Sequence, residues 1–132
     1  MDGFSSAELL FFRGREEALP LYEAVRKRIL EACPQAGIQV KKTQISFFAR
    51  YMFATVSFTP VGPAQDRPQP FLTLSLCLPS PLEGARVAAA VEPYPGRWTI
   101  HILLGRPEDA DGELTDWLRM AAAFAAQRGK RA

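Results

Sequence analysis

The stretch that most limits what this chain can fold into is Ile38 to Phe58, IQVKKTQISFFARYMFATVSF. Val40, Ile45, Phe47, Phe48, Tyr51, Phe53, Thr55, Val56 and Phe58 are β-branched or aromatic, the types that suit a pleated, half-buried surface. The stretch predicts two or three strands in succession, with Arg50-Tyr51 as the turn before residues 52–58. Two later runs widen the sheet. In residues 71–78, Leu72, Leu74, Leu76 and Leu78 fall on one face, and Phe71, Thr73, Ser75 and Cys77 on the other. Residues 97–104 alternate likewise, Trp98, Ile100, Ile102 and Leu104 against Arg97, Thr99, His101 and Leu103. Residues 59–70 hold four prolines and no period, which predicts a long exposed loop. Residues 86–91 are small and weakly patterned, an irregular strand or a turn of helix, before the punctuation of Pro93, Pro95 and Gly96.

Helical signals lie at the two ends. Ser5 and Glu8 form an S-x-x-E capping box ahead of Leu9 to Phe12, and Gly14 is placed to end that helix. A second helix opens at Arg15, Glu16 and Glu17, with Pro20 tolerated in its first turn. Leu21, Tyr22, Val25, Ile29 and Leu30 make its apolar stripe, and Pro34 and Gly37 close it. Arg26-Lys27-Arg28 reads as a solvated face near a helix C-terminus rather than a nucleic-acid patch. Pro107, Glu108, Asp109 and Asp111 announce a last helix, from about Asp111 to Arg128. Its stripe is Leu114, Trp117, Leu118, Ala121, Phe124 and Ala125, and Arg128, Lys130 and Arg131 suit its C-terminal dipole. The expected fold is α+β and two-layered: a mainly antiparallel sheet of four to six strands, with the N- and C-terminal helices packed on one face. Residues 1–132 are expected to form one domain. Leu74, Leu76, Ile100, Ile102, Trp117 and Leu118 are its expected core.

Composition narrows the function classes. Net charge is +2 and the pI about 8.7, too mild to demand a polyanionic partner. Residues 1–59 carry 8 basic and 6 acidic side chains and the remainder 8 and 8, so no charged arm stands out. The N-terminal MDGFSSAELLFFRG has an acid at position 2 and a short apolar run, which predicts neither a secretory signal nor a membrane span. Cys33 and Cys77 lack metal-type spacing; the simple reading is a reduced intracellular protein, with one disulfide as the alternative.

The strings KKTQISFFARYMFATVSF, EPYPGRWTIHILL and DGELTDWLRMAAAFA together resemble a family of small bacterial domains of unknown function. The resemblance spans nearly the whole chain and rests on Lys42, Thr43, Gln44, Ile45, Phe53, Ala54, Trp98, His101 and Trp117. It implies a bacterial origin and a domain found alone or C-terminal to nuclease-like domains. Many members carry a second histidine directly before the first, where this chain has Ile100, so a role that needs a histidine pair does not carry over.

His101 is the single histidine, which argues against a multi-histidine metal site. Alternation places it among Thr99, Ser75 and Cys77, opposite the leucine-rich face. Cys77 with His101 has the residue types of a nucleophile and its base, without a third orienting group. No acid pair and no phosphate-cradling glycine pattern is visible. Lys41, Lys42, Arg50 and Arg97 with Phe48, Tyr51 and Trp98 form a basic-aromatic mixture of the kind that binds nucleic acid. Alternation splits them between faces, and Lys41 and Lys42 also read as a solvated edge. The expectation is a cytoplasmic, non-enzymatic binding module that contacts its partner through Lys42, Gln44, Ser75, Thr99 and His101. The partner is a nucleic acid or another protein, not a membrane; no catalytic residue, metal ligand or cofactor is assigned. The alternative is a small-molecule-binding protein or enzyme with a pocket around His101. Shape separates the two: a concave pocket favours the alternative, an open or basic surface the module.

Overall fold

The computed structural model describes residues 4–127. Helix α1 (Ser6–Phe11) begins at the expected capping box: the Ser5 hydroxyl accepts the Glu8 N–H at 3.1 Å, and Glu8 accepts the Ser5 N–H at 2.8 Å. Gly14 then adopts φ 83, a left-handed conformation that reverses the chain without Cβ strain. A short 3₁₀ turn (Glu16–Ala18) leads into α2 (Leu19–Ala32), where Pro20 occupies the first turn. Leu21, Tyr22, Val25 and Ile29 form its buried stripe.

The central stretch makes three strands, β1 (Gly37–Val40), β2 (Gln44–Phe48) and β3 (Met52–Ser57), with the turn at Arg50-Tyr51. The proline-rich segment after β3 carries one 3₁₀ turn (Ala64–Asp66) and no strand. Strands β4 (Leu72–Leu78), β5 (Val87–Tyr94) and β6 (Arg97–Leu104) complete an antiparallel sheet in the order β1-β2-β3-β4-β6-β5. Residues 87–91 therefore belong to an edge strand, with Arg86 in the turn before it, and its irregular register with β6 explains the weak pattern. Pro95-Gly96, with Gly96 at φ 75, makes the tight turn between β5 and β6. A 3₁₀ turn (Pro107–Asp109) precedes α3 (Gly112–Gln127). Asp111 caps α3 by accepting the Leu114 N–H at 3.0 Å. Arg128, Lys130 and Arg131 lie outside the described residues.

Helix α3 lies across β3 and β4, and α2 packs beside α3 in the same core. Leu74, Leu76, Ile100, Ile102 and Leu118 are fully buried there, and Trp117 is 8 % exposed. The register breaks between Phe47 and Phe48, opposite Phe53. Such a bulge places two successive residues against one partner and turns the strand. Phe53 thereby joins the core beside Ala54, and Met52 emerges on the other face.

Arg26 and Arg28 depart from the expected solvated face. Arg26 Nε lies 2.8 Å from the buried carboxylate of Glu8, which also accepts a short hydrogen bond from Tyr22. Arg28 Nε donates to the Ala110 carbonyl at 3.0 Å. These arginines tie α2 to α1 and to the turn before α3. Lys27 between them is exposed. Neither cysteine is in a disulfide.

Candidate functional site

Away from the helices, the sheet carries rows of small polar residues fixed by strand register. One row runs Ser46–Thr55–Ser75–His101 across β2, β3, β4 and β6. A second runs Gln44–Ser57–Thr73, and Cys77 faces Thr99 in a third. Small side chains leave space above the strands, and a half-open concavity of ≈ 260 Å³ lies there. Gln44, Met52, Thr59, Thr99 and His101 are among its walls, with Thr55, Ser57, Thr73, Ser75 and Cys77. No lining side chain is an acid, a lysine or an arginine.

Several of these hydroxyls are committed to the fold. Thr73 donates to the Thr59 carbonyl at 2.7 Å, and Ser57 accepts the Thr59 N–H at 3.2 Å. Together they pin the start of the proline-rich segment to the sheet. Gln44 Nε2 donates to the buried Ser46 hydroxyl at 2.9 Å. By contrast, the hydroxyls of Thr55 and Thr99 and Nε2 of His101 make no hydrogen bond among the described residues.

His101 is half-buried, and its Nδ1 lies 2.8 Å from the Ser75 hydroxyl. Burial lowers its pKa below the ordinary 6.5, because the cation loses more hydration than the neutral ring. At neutral pH the imidazole is uncharged. If Ser75 donates to Nδ1, Nε2 carries the proton and donates to a ligand; in the other tautomer Nε2 accepts. Cys77 lies diagonal to His101, since its partner on β6 is Thr99, so the cross-strand hydroxyl at His101 is Ser75 rather than a thiol. Among the described residues no three histidines, cysteines or acids cluster as a metal site.

Gln44, Ser75, Thr99 and His101, four of the five residues expected at the site, come together in this concavity. Lys42 does not. It sits in the turn between β1 and β2 and lines a neighbouring depression with Phe11, Arg13, Arg15, Thr43, Phe58 and Thr59. Lys41 and Lys42 thus occupy a turn rather than an edge strand. The expected basic-aromatic mixture is also dispersed. Lys42 precedes β2, Arg50 follows it, and Arg97 opens β6, two strands beyond β3. Sequence reasoning missed Met52, which reaches the site only through the bulge, and Arg13 and Arg15, which lie in a turn with no local motif.

This pairing of an antiparallel sheet with three helices accompanies a family match. The chain belongs to the DUF5655 family, described as a domain of unknown function. The DUF5655 match covers residues 10–125, from the end of α1 to the last turns of α3, and so contains every lining residue of the concavity. No curated protein and no solved structure matches the chain. No helix among the described residues is long and apolar enough to cross a membrane.

Proposed function

We propose that this DUF5655 protein is a cytoplasmic bacterial binding protein whose ligand is a small molecule seated on the sheet around His101. One observation carries this reading. The only histidine, uncharged at neutral pH, looks into a mainly apolar concavity studded with hydroxyls and free of formal charge. Thr55, Thr99 and His101 offer hydrogen-bonding groups that the described residues leave unused, and Met52 and Cys77 add apolar contact. Such a lining suits an uncharged, hydrogen-bonding moiety held in a fixed orientation. An open module for a polyanion would instead need cations on this face, and those expected there are dispersed.

Binding, rather than turnover, is the activity assigned. Ser75 and His101 have the spacing of a nucleophile and its base, yet no carboxylate among the lining residues orients the imidazole. The test is a nuclear magnetic resonance screen of small polar compounds against the wild type and His101→Ala. Hits should move the amide signals of Thr55, Ser75, Thr99 and His101 and vanish in the variant, while its melting curve stays close to wild type. A His101→Ala protein that melts much earlier, yet binds the hits normally while folded, would assign the residue to structure alone. An oligonucleotide that binds this face while the whole compound screen is silent would restore the open-module reading.

A further inference from the structure

Next to the His101 concavity lies a second depression, of ≈ 320 Å³, with the opposite chemistry. Three cations line it, Arg13, Arg15 and Lys42, with the hydroxyls of Thr43 and Thr59 and no carboxylate. They come from separate parts of the chain. Arg13 and Arg15 flank Gly14 in the turn after α1, and Lys42 lies in the β1–β2 turn. Among the described residues none of the three forms an ion pair, whereas Arg26, Arg28, Arg86 and Arg119 all do. Glu16 is near enough for Arg13 to lower its pKa through space, but the larger cause is the Gly14 N–H, which its carboxylate accepts at 3.1 Å. Gathering like charges on one depression is unfavourable unless an anion joins them.

Two details point to a ligand. The Arg15 guanidinium lies 4.3 Å from the centroid of the Phe58 ring, and stacking of this kind fixes the plane of its donor fork. Close by, Arg67 Nε is buried with no hydrogen-bond partner among the described residues, in a depression that shares Arg15 and Phe58 and is also lined by Glu17. A buried unsatisfied donor is uncommon, because it forfeits hydration without replacement. The two sites also adjoin. Thr59 lines both, and Thr43 of one directly precedes Gln44 of the other. A ligand held at both would pass over Thr59.

We infer that the small molecule bound at His101 carries a phosphate group, held by Arg13, Arg15 and Lys42. This rests on the small-molecule reading above. A phosphate brings close to two negative charges and three strong acceptor oxygens, which matches three cations and two hydroxyls better than the single charge of a carboxylate.

The test titrates the isotope-labelled 132-residue chain with inorganic phosphate, holding ionic strength constant with chloride. Saturable shifts are expected at Arg15, Lys42, Thr43 and Thr59. The double substitution Arg13→Ala/Lys42→Ala should weaken phosphate binding by about tenfold or more, as loss of charge-assisted hydrogen bonds does. Arg15→Lys keeps the charge but loses the fork, and should weaken it by a few-fold. Both positions altered in the double variant are exposed, so its melting curve should stay in place. Phosphate affinity unchanged in all variants would overturn the inference, as would acetate binding as tightly as phosphate. Oligothymidine affinity that rises with length far above phosphate would overturn it in favour of a nucleic-acid track. His101→Ala should leave inorganic phosphate binding intact, which separates the two readings. A wild-type protein that binds compound hits at His101 but no phosphate sinks only this inference. Phosphate binding without any hit at His101 sinks the small-molecule reading and breaks the link between the sites.

Discussion

His101 is held between a hydroxyl it touches and a cavity it faces, and its protonation is set by both. The ring is part-buried, and burial lowers its pKa from the ordinary 6.5. An unfolded chain takes up a proton as the pH falls through 6.5, whereas the folded ring resists until a lower pH. The unfolded state therefore binds more protons in that window, and stability declines as the pH falls through it. A proton titration of the imidazole signals should give a midpoint below 6.5, and His101→Gln should flatten the fall in melting temperature over the same window. A midpoint at or above 6.5 would remove burial as the governing effect. At this scale the sequence was informative where period two governs. Alternation alone puts Ser75, Thr99 and His101 on one face, and register makes them neighbours. It failed at Lys42, two residues outside β2, because a turn obeys no such period.

Among the elements, the joint between α1 and α2 depends on one buried acid. Glu8 is 2 % exposed and closes the Ser5 cap, while Tyr22 and Arg26 of α2 reach it. Burial by itself raises its pKa, but the hydrogen bonds from Tyr22, the Ser5 N–H and Arg26, with the arginine charge, prevail and lower it. The same contact, after burial, pushes the Tyr22 phenol upward. A lowered carboxyl pKa contributes stability that is present above the ordinary 4.5 and is lost as the pH falls through the folded value. Glu8→Gln should cost about 1.5–3 kcal/mol in denaturant unfolding at neutral pH, as hydrogen bonds to a charged group are weakened. The cost should shrink below pH 4.5; an equal cost in acid would show that charge is irrelevant at this joint. A second tie spans β5 and α3. Arg86 donates to the Asp109 carbonyl, reaches Asp111 at 3.1 Å and Glu113 at 2.6 Å, and lies 5.2 Å from the Trp117 ring. Arg86→Ala should loosen the start of α3 and speed amide hydrogen exchange at residues 112–115, with little change in the exchange of β4. Neither tie was visible beforehand. Arg26 and Arg28 look like a solvated run because their partners, Glu8 and Ala110, are 18 and 82 residues away.

For the whole molecule, β4 is the strand on which fold and proposed function divide. It lies between β3 and β6, and its successive residues face opposite ways. Its leucines were legible because a strand buried on one face must alternate, and the helices' stripes supplied the matching surface. The strand order was not legible, because β6 reaches β4 across the β5 hairpin and nothing local encodes that choice. The cationic depression has the same character: residues 13, 15, 42 and 58 meet only once the sheet has formed. Adjacent substitutions on β4 test the division directly. Leu76 is fully buried in the core, so Leu76→Ala should cost about 2–5 kcal/mol through lost burial and a residual cavity. The protein that remains folded should bind compound hits as the wild type does. Ser75 is half-buried on the other face and meets His101, so Ser75→Ala should cost about 1 kcal/mol or less yet weaken the hits, because the ring loses the hydroxyl that fixes it. Denaturant unfolding beside ligand titration for the two variants decides the matter. A Ser75→Ala protein as unstable as Leu76→Ala would show that the polar face, too, belongs to the fold, and its assignment to ligand would lose its ground.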